Sequence, residues 1–303
     1  MADEYFVELN INNEYDVPFK MCAQIFSEKG LVTAAHIHED IEMLYAIKGN
    51  FEAYLDGACH EFSEGDLLVI NSREIHMVYA LTGGDSCYVM CRFALENLQM
   101  VGQKKDMRKY MLPFVINMPH QQKVFRKEEL EKYDIHRLML EALDEQKNER
   151  FGFELAIKCN ILKVLVAVLR IRGLWDSEKA ALFSDRMGDI TKGFEYIDKS
   201  YASNITMENV ADICSMSYSY FSRVFKSITK LSFSQYLLNV RLREAEYKLA
   251  TTERSITDIA FECGFSSSSY FVSKFRHEKG ITPKQYRKIM HDKVIKTPSQ
   301  WIS

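Results

Sequence analysis

Two stretches decide how the rest of the chain is read. The first is Thr206-Met-Glu-Asn-Val-Ala-Asp-Ile-Cys214, continuing into Ser217-Tyr-Ser-Tyr-Phe-Ser-Arg-Val-Phe-Lys226. The second is Ser255-Ile-Thr-Asp-Ile-Ala-Phe-Glu-Cys263, continuing into Ser267-Ser-Ser-Tyr-Phe-Val-Ser-Lys-Phe-Arg276. They are one unit written twice. Ala211 answers to Ala260 and Cys214 to Cys263 at an offset of 49; Phe221 answers to Phe271 and Phe225 to Phe275 at an offset of 50. The second copy therefore has one more residue in its turn. A short helix, a turn and a second helix with a Phe-x-x-x-Phe inner face outline a helix-turn-helix, and a tandem pair implies two DNA-reading heads.

Thr206 and Ser255 stand at N-cap positions, with Asp258 completing a capping box before Ile259-Ala260. Ala211 and Ala260 are small where two helices approach most closely. In the first reading helix Phe221 and Phe225 turn inward, which leaves Tyr218, Ser219, Ser222, Arg223 and Lys226 for DNA. In the second, Tyr270, Phe271 and Phe275 turn inward, which leaves Ser267, Ser268, Ser269, Val272, Ser273 and Arg276. Arg223 is the best direct base reader, since a guanidinium holds guanine O6 and N7 together. Serines specify weakly, and the plain alternative is that they cap and solvate a helix.

Phe233–Thr251 contains neither Gly nor Pro. It reads as one spacer helix, with an apolar stripe of Leu238, Leu242, Ala245 and Leu249 and a second of Tyr236, Val240 and Tyr247. Nineteen residues at 1.5 Å each span about 28 Å, which suits two heads in successive major grooves about 34 Å apart.

Ser255–Arg287, with Ile256, Ala260, Gly264-Phe265, Tyr270-Phe271, Phe275, Gly280, Thr282-Pro283 and Tyr286-Arg287, resembles the signature of the AraC/XylS family of transcription regulators. Tyr220-Phe221-Ser222-Arg223, Phe225-Lys226, Tyr236, Arg241-Leu242 and Ala245 resemble that family's first helix-turn-helix and linker helix. The resemblance covers about a hundred residues. It implies a monomeric seven-helix DNA-binding domain that contacts double-stranded DNA through both reading helices; RNA polymerase and a second copy of the chain are the further partners expected. Lys230 stands where the family usually has Gly, and Ser273 where it often has Arg or Lys.

Residues 5–95 are β-like, with runs rich in Val, Ile, Phe and Tyr between turn signals at Lys29-Gly30, Lys48-Gly49-Asn50, Asp56-Gly57, Glu64-Gly65-Asp66 and Gly83-Gly84-Asp85. This density of turns predicts a sandwich or small barrel. Within it, His36 and His38 point to one face of a strand, Glu42 continues the same parity, and His76 can join them from another strand. Three imidazoles and a carboxylate are a ligand set for a divalent transition metal. The spacing resembles the two cupin motifs: the first fits residue for residue, and the second departs at Asn71, Arg73 and Ala80 while keeping its ligand position. The AraC resemblance implies the other reading, in which such polar residues contact a small-molecule effector, often a sugar, and no metal is required. On that reading His36, His38, Glu42, Tyr45, Tyr54 and His76 border an effector pocket in the barrel mouth.

After Pro119 the pattern turns helical. Lys127–Asn148 reads as one amphipathic helix, and Phe151–Arg172 as a more apolar one that ends at Gly173 and is buried on two sides, by the barrel and by a neighbouring helix or a second subunit. Helix Asp189–Tyr201 opens the last domain.

The chain has 303 residues, 47% apolar and 27% charged, with a formal net charge of −3. That total argues against nucleic acid, but its distribution reverses the argument. Residues 1–187 carry 22 Lys+Arg against 30 Asp+Glu, whereas residues 188–303 carry 17 against 12. The seven cysteines include no CxxC pair and read as small buried thiols in a reducing compartment. No signal peptide or membrane span is legible, so a cytoplasmic protein without a membrane partner is expected.

The expected fold class is multidomain α+β: residues 1–110 a cupin-like β-barrel sensor, 111–187 a helical connector and dimerisation region, 188–292 an all-α tandem helix-turn-helix domain, and 293–303 a tail. The expected function is a non-enzymatic, ligand-responsive, sequence-specific transcription regulator. The alternatives are a metal-dependent cupin enzyme with a DNA-binding appendage, and constitutive DNA binding with a vestigial sensor.

Overall fold

The computed structural model describes residues 19–288, except 37, 39, 57, 73, 99–109, 111–112, 115–120, 174–186 and 230. The expectations for the first eighteen residues, for Arg73, for Lys230, for much of the segment after Gly173 and for the tail lie outside these residues. The chain divides into two compact units, Met1–Ala181 and Leu182–Ser303.

Among the described residues the first unit has nine strands: β1 Phe19–Phe26, β2 Gly30–His36, β3 Ile41–Lys48, β4 Asn50–Leu55, β5 Ala58–Ser63, β6 Leu67–Ile70, β7 His76–Ala80, β8 Ser86–Phe93 and β9 Val124–Phe125. They form two antiparallel sheets, ordered β1-β8-β3-β6-β9 and β2-β7-β4-β5. β3 shows how period-2 side-chain alternation makes two cores from one strand. Leu44 and Ala46 point between the sheets, where they meet Phe51, Ala53, Leu55, Phe62, Ile70, Val78 and Tyr88. Ile41, Met43 and Tyr45 point to the other face of the five-stranded sheet.

That second face is covered by helices α1, Ile135–Asn148, and α2, Phe153–Ile171. Leu138, Met139 and Ala142 of α1, and Ile157, Ile161, Val164, Leu165 and Val168 of α2, share one core with the sheet. These helices belong to the sheet's own unit because their apolar faces close it. The single helix expected over Lys127–Asn148 is broken: a helical turn at Lys127–Leu130 and a 3-10 turn at Glu131–Tyr133 precede α1. The break falls at Asp134, which is left-handed at φ 56°, a conformation Asp tolerates better than most residues. α2 ends as expected before Gly173, at φ +60°. Its Leu155 and Val166 are exposed.

The second unit contains α3 Met187–Ser200, α4 Met207–Ile213, α5 Tyr218–Thr229, α6 Phe233–Thr251, α7 Ile256–Glu262 and α8 Ser268–Lys279. Residues 283–288 are also helical. Thr206 and Ser255 cap α4 and α7 through their side chains, as their sequence context predicts. The spacer is one unbroken helix, α6, with Tyr236, Val240, Leu242, Ala245 and Leu249 buried. Tyr247 is exposed, against expectation, and the buried surface instead takes in Glu244 and Glu246. Glu246 is neutralised by Lys279 at 2.7 Å, and Tyr286 donates to it at 3.5 Å. This pairing ties α6 to the end of α8. Among the described residues no helix is long and apolar enough to cross a membrane.

Candidate functional site

The residues singled out in the first unit assemble where the two sheets meet. His36 and His76 are cross-strand partners on β2 and β7, in one sheet. Glu42 lies on β3, in the other sheet, between Ile70 and Arg92. His38 lies on the link between β2 and β3, which crosses from sheet to sheet. One ligand atom from each of the four lies within 4.8 Å of the others. The rings of His36 and His76 are 4.1 Å apart between centroids, and those of His38 and His76 5.0 Å. Glu42 and His76 are buried, and His36 and His38 half-buried.

Each imidazole is oriented by the backbone. His36 Nδ1–H donates to Ala34 O at 2.9 Å, His38 Nδ1–H to Asp40 O at 3.0 Å, and His76 Nδ1–H to Glu74 O at 2.9 Å. A carbonyl only accepts, so all three Nδ1 atoms carry hydrogen and each Nε2 is left for the cluster. His38 Nε2 lies 2.8 Å from Glu42 Oε2, and His76 Nε2 lies 3.6 Å from the same oxygen. The second distance exceeds hydrogen-bond reach, and His76 Nε2 is buried without a hydrogen-bond partner.

The protonation states follow from this packing. Burial pushes His36 down to about 4, helped by the neighbouring His76, so its ring is neutral at pH 7. Burial alone would raise Glu42, but His38 and His76 overcome it and hold the carboxyl well below the usual carboxylate range. Burial likewise opposes charging of His76, and the Glu42 carboxylate outweighs it and draws His76 upward.

Two residues expected at this pocket are elsewhere. Tyr45 shares β3 with Glu42 but has odd parity, so it faces α1, where its hydroxyl meets His136 Nδ1 at 3.3 Å. Tyr54 lies on the outer face of its sheet beside Tyr79, with its hydroxyl donating to Glu52 at 3.3 Å, while its neighbours Ala53 and Leu55 point inward. Strand parity was available in the sequence and separates both tyrosines from the cluster. The expectation of buried thiols holds for Cys87, Cys91, Cys214 and Cys263, but Cys59 and Cys159 are exposed.

In the second unit the two reading helices are framed alike. Met216 N–H donates to Ala211 O at 2.9 Å in the first turn, and Phe265 N–H to Ala260 O at 3.0 Å in the second. Phe221, Phe225, Phe271 and Phe275 are all buried. On α5, Tyr218, Ser219, Arg223 and Lys226 are exposed and Ser222 is half-buried. On α8, Ser269, Ser273 and Arg276 are exposed, while Ser268 and Val272 are half-buried. Ser268, Ser269, Val272, Ser273 and Arg276 border one open depression together with His277 and Thr282. Ser267 is the N-cap of α8, where its hydroxyl accepts the Tyr270 N–H at 3.2 Å. Tyr270 is not inward: 47% of it is exposed, whereas its counterpart in the first head, Tyr220, is half-buried. Arg241 of α6 donates to Tyr201 O at 2.8 Å and Ser203 O at 3.0 Å, which fixes the spacer helix to the chain entering α4.

A helix-turn-helix domain model matches residues 210–289, and a cupin domain model matches residues 24–92. The HTH-type transcriptional regulator YdeC of Bacillus subtilis is 23% identical over 256 residues, 84% of this chain and 86% of that protein. The bifunctional transcriptional activator/DNA repair enzyme AdaA of the same organism is 36% identical over 95 residues, 31% of this chain and only 45% of AdaA. The structure of ToxT from Vibrio cholerae aligns with 90% of this chain and 98% of its own at 13% identity, with a TM-score of 0.44. The tandem repeat, the cupin match across the strands that carry the histidine cluster, and the similarity to HTH-type regulators along most of the chain support a transcription regulator with a cupin domain followed by an AraC-type helix-turn-helix DNA-binding domain.

Proposed function

We propose that this regulator is sequence-specific and effector-responsive, and that His36, His38, Glu42 and His76 hold a divalent transition metal ion whose binding governs operator affinity. The observation that carries the reading is the orientation of the imidazoles. All three commit Nδ1–H to backbone carbonyls, the outer-shell arrangement that presents Nε2 lone pairs to a cation. The 2.8 Å contact of His38 with Glu42 is a hydrogen bond only while a proton sits on Nε2, and a metal ion takes the place of that proton. The buried, unpartnered Nε2 of His76 fits the same role. A sugar-sized effector fits less well. Phe51, Phe62 and Tyr88 fill the space between the sheets, and Tyr45 and Tyr54 offer it no stacking face. When bound, the metal supplies a fixed positive charge linking the two sheets through β2, β3 and β7. Binding that favours one arrangement of this unit shifts the population of DNA-competent molecules by its differential affinity.

On the DNA side, Arg223 reads a base edge and Lys226 contacts phosphate from the first head, with Tyr218, Ser219 and Ser222 beside them. The second head, with Ser268, Ser269, Val272, Ser273 and Arg276, anchors more than it discriminates.

The test uses full-length protein purified without added metal, and a duplex selected from a random-sequence pool. About one metal ion per chain is expected, lost in His38→Ala, with chelation changing the operator Kd about fivefold or more. Protein free of metal under all conditions overturns the site assignment. Stoichiometric metal with a Kd indifferent to chelation overturns the regulatory role.

A further inference from the structure

We infer that Arg172 is the positioning residue through which the state of the histidine cluster reaches the end of α2, the last described helix of the first unit. The inference rests on the function proposed above and specifies its route.

The turn between β6 and β7 delivers His76 to the cluster. His76 Nδ1–H is held by Glu74 O, and the Glu74 carboxylate accepts from the Asn71 N–H at 2.9 Å and from Lys123 Nζ at 2.8 Å. Asn71 Nδ2 donates to Gln121 Oε1 at 2.9 Å, and Gln121 Nε2 donates in turn to Pro113 O. Ser72 N–H donates to Phe114 O at 3.1 Å. The branch through Gln121 and Pro113 ends on one guanidinium, against which the Phe114 ring also packs. Arg172 donates from Nη1 to Pro113 O at 3.3 Å and from Nη2 to Gln122 O at 3.0 Å. It also lies 5.1 Å from the centroid of Phe114 and 5.3 Å from that of Phe125.

Arg172 has no carboxylate within ion-pair distance among the described residues, yet it is half-buried, with its guanidinium packed against two rings. Burial pushes it down to about 9 against the pull of the Glu74 charge. Desolvating a guanidinium costs free energy that an apolar residue at a helix end would avoid. What the cost secures is a rigid fork that registers the positions of two carbonyls, Pro113 and Gln122, the first of which also accepts from Gln121, itself held by Asn71 of the turn that leads to His76. A shift of that turn misaligns the fork. The next residue, Gly173, already has left-handed backbone, and the chain then runs to the second unit. Release of Arg172 from these two carbonyls would supply the second arrangement that coupling requires.

The experiment compares wild type, Arg172→Lys, Glu74→Gln and the double variant as full-length proteins, with Zn(II) as the probe. Bound zinc, amide hydrogen exchange of residues 121–125 and of the last turn of α2, and operator Kd are measured. In wild type, zinc is expected to slow exchange in both segments and change Kd about fivefold or more. Arg172→Lys should bind the same zinc and lose both responses, and the effects of Glu74→Gln and Arg172→Lys on Kd should not add. A full zinc response in Arg172→Lys, or additive effects in the double variant, overturns the inference. If wild type binds no zinc, the metal reading falls by itself, and additivity or its absence still decides the relay. Arg172→Gln replaces Arg172→Lys, with the same expectations, should the lysine variant fail to fold.

Discussion

The two units put their polar groups to opposite use. In the cupin unit four side chains from β2, β3, β7 and one link turn inward on a single point, where burial sets their protonation and the backbone sets their rotation. In the DNA-binding unit the polar groups of α5 and α8 turn outward, and the inside of each head is phenylalanine. A concealed site gains geometry and loses water, so a few groups suffice for a compact ligand. A displayed site keeps its groups solvated, so many weak contacts must add along a long ligand. The same contrast predicts that one site responds to acid and the other to salt.

The largest effect expected is on the displayed site's hidden support. Phe225 packs against Phe194, Phe221, Phe233 and Tyr236, so Phe225→Ala should cost about 3–5 kcal/mol in chemical denaturation and abolish operator binding. Phe275 packs on Phe271 and Tyr286, and its loss should fall lower in that range. Equal losses would show that the two heads are supported alike.

Acid and salt should separate the units next. His36 is depressed to about 4 from an ordinary value near 6.5, so the unfolded chain binds its proton first as pH falls. The stability it contributes is present above 6.5 and is lost between 6.5 and about 4. His76, drawn upward, contributes stability that is complete below 6.5 and lost only at higher pH, so it does not mask this window. Thermal melts of metal-free protein should therefore fall as pH drops from 6.5 toward 4.5, and His36→Gln should flatten the slope. Operator binding should instead weaken steeply with salt, while metal affinity at pH 7 changes little. A metal affinity as salt-sensitive as DNA binding would break the contrast.

Arg223→Ala should cost about 1–3 kcal/mol on the selected duplex and relax one base position. Arg276→Ala should weaken all sequences evenly, as a phosphate contact does. The reverse pattern would exchange the roles of the heads. The smallest effect is at the caps: Ser255→Ala should cost about 1 kcal/mol, since its hydroxyl holds the Asp258 N–H at 3.1 Å.

Legibility followed the range of the interactions. The caps at Thr206 and Ser255, the end of α2 at Gly173 and the unbroken spacer α6 depend on neighbours within a few residues, and all are legible in the sequence. The inserted residue of the second turn was legible too. Ser215 at φ 53° and Gly264 at φ +80° begin the two turns, and the second runs one residue longer to its capping serine. The break at Asp134 escaped because an amphipathic pattern continues across it. Tyr270 and Tyr247 were misplaced because an aromatic ring at helical spacing looks inward, whether or not a neighbour covers it. Tyr45 and Tyr54 were misplaced by chemistry: they suit a sugar pocket, but parity on β3 and β4 sends them outside.

By itself the sequence determined the repeat, the framework residues of both heads, the spacer between them and the identity of the four cluster residues. These are matters of local spacing and side-chain period. Only the tertiary structure decided that His36, His38, Glu42 and His76 meet within 4.8 Å, that backbone carbonyls turn each Nε2 to the centre, and that Glu74, Gln121 and Pro113 link that centre to Arg172. Such contacts join residues as far as 59 positions apart, and no local pattern encodes which strands become neighbours in a sheet.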